Sequence, residues 1–189
     1  MLDTMQQLIF STGNESKFLA ADKICSKYGV KVIQNSLEID EIQSEDAEKI
    51  VIDKVNKAYN LIKQPVFVSD DSWDIPGLGG FPGPYMKSMN HWFKPQDFIN
   101  ITKHLKNRRI FLDCYLAYKD STQTKVFYRR REGTILTKPQ GKSEFANHSV
   151  VSMSEDNGLT IAEIYERGLY GENRDVEKVW HDFIDWFIG

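Results

Sequence analysis

The sequence predicts an α/β protein, and three observations carry that prediction. Leu8-Ile9-Phe10-Ser11 is a short apolar run that passes through a Gly-containing turn into helical periodicity. Ala47, Ile50, Val51, Val55, Ala58, Leu61 and Ile62 recur at helical spacing between about residues 45 and 63, ahead of the β-branched and aromatic run Val66-Phe67-Val68. Residues 110–119 and 124–131 alternate as two strands of a hairpin around the polar turn Asp120-Ser121-Thr122-Gln123. Strands interleaved with amphipathic helices give a sheet with helices packed on it. The 189 residues contain no repeat, low-complexity tract or linker, so one domain over residues 1–189 is the simplest organisation.

The first helix, with Phe18, Ala21, Cys25 and Tyr28 on one face, follows Thr12-Gly13-Asn14-Glu15-Ser16-Lys17. Strand, glycine turn and helix start form an anion-binding arrangement, because the first helical N–H groups lack intrahelical partners and Lys17 adds a full positive charge. The alternative is an Asn-type helix cap beside an exposed lysine. Neither the P-loop nor the dinucleotide glycine spacing is present. Val30 to Gln34 can form a second strand. Carboxylates then gather over Glu38 to Asp46, where Ser44 is the expected cap of the next helix. Acidic first-turn residues suit the helix dipole and explain Glu45, Asp46 and Glu48, but Glu41 lies ahead of the cap. Lys54 borders the buried stripe, either snorkelling to water or aimed into a cleft.

Val66-Phe67-Val68-Ser69 is expected to end at Asp70-Asp71-Ser72, ahead of the Gly/Pro segment Gly77 to Tyr85, in which neither helix nor strand is expected. Two carboxylates at a strand end suit a metal site. The alternative is a solvated, capped turn. Successive strand residues face opposite sides, so Asp70 and Asp71 are expected to have different roles. Further on, Phe98 to Leu105 suggests a helix opening near Pro95. Arg129-Arg130-Arg131 reads as outward charge on an edge strand or as phosphate contacts. Gly133 to Leu136 and Ser149 to Met153 read as further strands. Val176, Val179, Trp180, Phe183, Ile184 and Phe187 form the apolar stripe of a final helix that Asn173 could cap.

Composition sets bounds. A net charge of −3 gives no reason to expect nucleic acid or an anionic membrane as a partner. The first thirty residues show no signal-peptide pattern, and no stretch approaches the roughly 20 apolar residues of a membrane span, so the cytoplasm is the expected location. The two cysteines, Cys25 and Cys114, have no metal-type spacing and read as reduced core thiols. His91, His104 and His181 read as surface residues and carry no assigned role. Together, Glu41, Asp70 and Asp71 with Lys17, Lys54 and Lys87 suit a polyphosphate carried with a divalent metal. Mg²⁺ takes a few carboxylates plus water and phosphate oxygens, and lysines offset the remaining phosphate charge.

Thr12-Gly13-Asn14-x-x-Lys17, Glu41-Ile42-Gln43-Ser44-Glu45, Lys54, Asp70-Asp71-Ser72 and Leu78-Gly79-Gly80-Phe81-Pro82-Gly83-Pro84-Tyr85-x-Lys87 resemble, in order, the motifs of the inosine triphosphate pyrophosphatase (Ham1-like) family. The likeness runs from about residue 8 to 87, with weaker echoes over Arg109 to Ala117, Gly133-Thr134-Ile135 and Ala162-Glu163. The loop after Ser72 is one residue shorter than the family's. The resemblance implies a two-lobed α/β fold, a long mixed sheet flanked by helices with a central active-site cleft, and a homodimer. It also implies Mg²⁺-dependent hydrolysis of a nucleoside triphosphate to the monophosphate and pyrophosphate. By position, Thr12, Asn14 and Lys17 would hold phosphates, helped by Lys54, Ser72 and Lys87. Glu41 and Asp71 would handle the metal, with Asp71 also activating water beside Asp70.

The base-recognition half departs from the pattern. Phe145-Ala146-Asn147-His148-Ser149 stands where the family has Phe-Gly-aromatic-Asp-Pro, and its late Ser-His-Arg has no counterpart beyond the nearby cations Arg167 and Arg174. Phe145, Asn147 and His148 are therefore expected to form an altered base pocket with relaxed preference. The alternative is a catalytically silent nucleotide-binding protein that keeps only the phosphate half.

Overall fold

Alternating apolar segments fold into a mixed sheet whose strand order is β2-β1-β3-β5-β6-β7, with a short β4 on β3. A computed structural model describes residues 6–169 and 177–189. The elements are β1 (Gln6–Phe10), α1 (Glu15–Cys25), β2 (Val30–Gln34), α2 (Ala47–Ile62), β3 (Val66–Asp74), β4 (Pro82–Gly83), α3 (Met86–Trp92), α4 (Pro95–Thr102), β5 (Arg109–Lys119), β6 (Thr124–Ile135), β7 (Val151–Met153), α5 (Ile161–Glu166) and α6 (Lys178–Ile188). β1 pairs in parallel with β2 and β3, whereas β3 with β4 and β6 with β7 are antiparallel. Two compact units result. One contains the chain up to Asp70, Tyr115–Arg129 and α6; the other contains Asp71–Cys114 and the stretch from Arg130.

In the first unit, the apolar stripe of α2 puts Val51, Val55 and Ala58 against Val66 and Val68 of β3, with Leu37 and Ile39 packed at the margin. Phe10 and Phe67 stack at 4.4 Å between centroids, and the α6 residue Trp180 meets both edge-on at 5.6 and 6.3 Å. Such pairs add about 0.5–1.5 kcal/mol beyond the area they bury. Cys25 is buried in this unit, and burial pushes its thiol up to about 12, leaving it protonated. In the second unit, Trp73, Ile75, Phe98, Ile110, Ile135 and Met153 belong to one core. Gly133 is required there, because a Cβ would lie 2.8 Å from the Ser152 backbone oxygen across the β6–β7 pair.

Several local expectations need correction. β3 does not stop before its acidic pair but runs on to Asp74, because Ser72 and Trp73 are buried and Trp73 and Asp74 pair with Gly83 and Pro82. The Gly/Pro segment therefore contains the strand β4, as well as a 3₁₀ turn over Pro76–Leu78. Gly133 to Ile135 continues β6 rather than starting a new strand. The cap of α2 is Asp46, whose side chain accepts from the Lys49 N–H; Ser44 instead accepts from the Asp46 N–H. α3 was not expected. Cys114 is half-buried rather than a full core thiol. The proposed cap Asn173, the stripe residue Val176 and the cation Arg174 lie outside the described residues.

In the arginine run, two side chains have partners within the fold. β6 lies between β5 and β7, but its pairing with β7 covers only Gly133–Ile135, beyond the arginines. Arg130 makes a two-pronged contact with Asp113, at 2.7 and 2.6 Å, and stands 3.4 Å from Asp74. Arg131 pairs with Glu155. Asp113 is nearly shielded from water, which makes a planar guanidinium fork the fitting partner.

Candidate functional site

In the first unit, the β1–α1 turn is held at several points. The Ser11 N–H donates to the Phe67 carbonyl at 2.9 Å, the Gln34 side chain donates to the Thr12 carbonyl at 3.3 Å, and the Asn14 N–H donates to Thr12 Oγ1 at 3.0 Å. Asn14 caps α1, with its Oδ1 accepting from the Lys17 N–H at 3.0 Å. The Asn-cap reading of this stretch is thus realised, and Asn14 keeps its side-chain N–H₂ for another partner. A side chain at Gly13 would come 3.1 Å from Ser36 Oγ, so the turn is closely packed. Thr12, Asn14 and Lys17 occupy one pre-formed turn.

The acidic part of this unit centres on Lys54. Its Nζ lies 2.6 Å from Glu41 Oε1 and 4.0 Å from Asp70 Oδ2, and its side chain is only 19% exposed. Lys54 is therefore aimed inward from α2, joining a carboxylate of an irregular segment to one on β3. Glu41 owes its place to that segment, which runs from the end of β2 to the Asp46 cap with Leu37 and Ile39 packed against the core.

In the second unit, Asp71 and the buried Ser72 continue β3. Asp71 is half-buried, the first residue of this unit on the strand that runs on to Asp74. Lys87 stands exposed on the first turn of α3. The segment that departs from the family pattern is a 3₁₀ turn, Ala146–Ser149. His148 lies parallel to the ring of Tyr165 at 5.7 Å and 4.9 Å from the Phe145 ring, while its Nδ1 is 3.2 Å from Ser143 Oγ. Burial lowers its pKa from 6.5 to about 4, against the opposing pull of the Asp71 carboxylate. At neutral pH His148 is an uncharged imidazole, able to donate at one nitrogen and accept at the other. The structure thus brings Asp71 and His148 within electrostatic reach, although 76 positions separate them.

Asn147 is 1% exposed, and among the described residues neither its side-chain oxygen nor its nitrogen has a hydrogen-bond partner. Its backbone N–H donates to Asn90 Oδ1 at 3.0 Å, which pins the turn to α3. Asn90, Ser143 and Tyr165 were not foreseen from sequence. Their common signal is contact with a turn that carries no pattern of its own, which only the folded chain reveals.

A sequence profile described as the Ham1 family matches residues 8–167. The chain belongs to the Ham1 family. Among curated Ham1 relatives, a protein named dITP/XTP pyrophosphatase from Methanosarcina mazei is 28% identical over 98% of this chain and 99% of its own. One named inosine triphosphate pyrophosphatase 2 from Trypanosoma cruzi is 33% identical over 82% of this chain and 79% of its own. The solved structure of a HAM1 protein from Coxiella burnetii superposes with a TM-score of 0.75 at 17% identity, covering 96% of this chain and all of that one. That likeness bears out the α/β fold with its mixed sheet and flanking helices. Among the described residues, no helix of this Ham1 protein is long and apolar enough to cross a membrane.

Proposed function

We propose that this Ham1 protein is a nucleoside triphosphate pyrophosphatase, adding water at the α-phosphorus, breaking the bond to the β-phosphate oxygen, and leaving the monophosphate and pyrophosphate. The observation that carries the reading is Lys54 drawn between Glu41 and Asp70 on a chain whose relatives are named for this activity. A half-buried lysine held beside two carboxylates also makes a place for phosphate charge.

The donor set fits Mg²⁺. Glu41 and Asp71 offer hard carboxylate oxygens, and among the described residues no group of three or more His, Cys, Asp or Glu side chains gathers into a cage. Mg²⁺ needs no such cage, since it completes its shell with water and phosphate oxygens. When bound, the ion polarises phosphoryl oxygens and makes associated water more acidic. The chain supplies the rest. Asp71 takes the proton from the attacking water, and Asp70 aligns Lys54. Thr12, Asn14 and Lys17 hold the phosphates from their turn, with Lys54, Ser72 and Lys87 contributing. Phe145, Asn147 and His148 meet the base, where an amide and a neutral imidazole offer donors and acceptors without charge. A homodimer in the cytoplasm belongs to the same proposal, and its subunit number is read by sedimentation equilibrium.

The test is pyrophosphate release from dITP, XTP, ITP and the common triphosphates, with and without a chelator. Asp71→Asn is expected to lower kcat by on the order of 10³-fold with fold intact. Tight nucleotide binding with no turnover on any triphosphate would favour a silent binding protein instead.

A further inference from the structure

We propose that Lys57 is a positioning residue, the second of two straps by which α2 holds the irregular segment that carries Glu41. This rests on Glu41 being a working carboxylate of the proposed site. The segment lies between β2 and the Asp46 cap and belongs to no helix or strand; its start is tied to β1, where the Asn35 N–H donates to the Phe10 carbonyl at 2.9 Å. Its apolar grip is Leu37 and Ile39, which pack against the core but lie on the β2 side of Glu41. The charged grip comes from one face of α2. Lys54 reaches the Glu41 carboxylate at 2.6 Å, and Lys57, one turn later, donates from Nζ to the Asp40 backbone carbonyl at 2.7 Å. Asp53, four residues before Lys57 on the same helix, stands 2.8 Å from that Nζ.

The division of labour follows from the acceptors. Lys54 binds Glu41 by its side chain, the group that a metal or phosphate would compete for. Lys57 binds the backbone one residue earlier, a contact that a ligand at the carboxylate does not displace. A charged donor on a carbonyl is stronger than a neutral hydrogen bond, and Asp53 aims it by an ion pair of its own. Lys57 thus sets where Glu41 begins, and Lys54 sets where its carboxylate ends.

Three variants test this: Lys57→Met, which keeps the aliphatic stem, Lys57→Arg, and Asp53→Asn. Two readouts are followed, the ¹⁵N backbone order parameters of residues 38–42 and the Mg²⁺ concentration for half-maximal pyrophosphate release. In wild type and Lys57→Arg the order parameters are expected near those of rigid backbone, about 0.85; in Lys57→Met they fall toward about 0.6, while those of α1 and β1 stay unchanged. The Mg²⁺ requirement rises on the order of fivefold in Lys57→Met, with KM for the triphosphate changed by less than about twofold. Asp53→Asn gives the same changes in smaller degree. Unchanged order parameters in Lys57→Met overturn the proposal, as do loosened amides with an unchanged Mg²⁺ requirement. If the wild type releases no pyrophosphate, the functional reading fails, and the strap stands or falls on the order parameters alone.

Discussion

Asn147 states the tension between stability and use within a single side chain. Its amide is sealed from water with both polar atoms unpaired among the described residues, an arrangement that costs stability. If the amide is kept for a base edge, Asn147→Leu should stabilise the protein by about 1 kcal/mol in urea unfolding and reorder the triphosphates by kcat/KM. A loss of stability instead would mean that a bound water already satisfies the amide. His148 gives a second prediction at this scale. Its folded pKa of about 4 lies below the ordinary 6.5, so between these values the unfolded chain binds the extra proton. The contribution of neutral His148 is thus complete above pH 6.5 and drains away as the pH falls toward 4. Chemical denaturation at pH 7.5 and pH 5 should show a smaller loss on acidification in His148→Gln than in wild type. An equal loss would assign the acid sensitivity to other groups.

At the scale of elements, the two misread strands share one cause. The period-2 pattern breaks at Asp70-Asp71 in β3 and at Arg130-Arg131 in β6, and charge at a strand's end is indistinguishable in sequence from charge within it. What carries both strands through is pairing from distant segments: Pro82 and Gly83 on one side, Val151 to Met153 on the other. The Arg130–Asp113 contact makes this measurable. Arg130→Met removes the guanidinium from a nearly buried carboxylate, and a loss of about 2 kcal/mol is expected in urea unfolding, reduced from the fully buried case because the guanidinium is partly exposed. The double variant Arg130→Met, Asp113→Leu should recover most of it; no recovery would mean that the guanidinium acts through Asp74 and the Phe111 ring instead. Helix boundaries were easier to read, since α2 and α6 have strong apolar stripes. Caps were not, because Ser44 and Asp46 are equally good residues for the role. Asp46→Ala is expected to lower the midpoint of thermal unfolding by more than Ser44→Ala does; an equal or smaller shift would move the cap to Ser44.

Across the whole molecule, the α/β class and the order of its chief elements were legible, because strand and helix periods are local properties of the chain. The residues proposed to meet phosphate and metal were readable as turn and strand positions for the same reason: Thr12, Asn14, Lys17 and Asp70-Asp71 occupy short stretches with turn and strand signals of their own. The surroundings of Asn147 and His148 were not, since Asn90, Tyr165 and Asp71 reach them only through folding. The straps on Glu41 were hidden likewise, as nothing in the spacing of Lys54 and Lys57 announces their acceptors. The most direct measurement is the identity of the phosphate product when dITP, XTP and ITP are each incubated with the protein and Mg²⁺, beside Asp71→Asn. Stoichiometric pyrophosphate and monophosphate, abolished by the chelator and slowed on the order of 10³-fold by Asp71→Asn, is the expected result. Orthophosphate with the diphosphate, or turnover undiminished in Asp71→Asn, would contradict it.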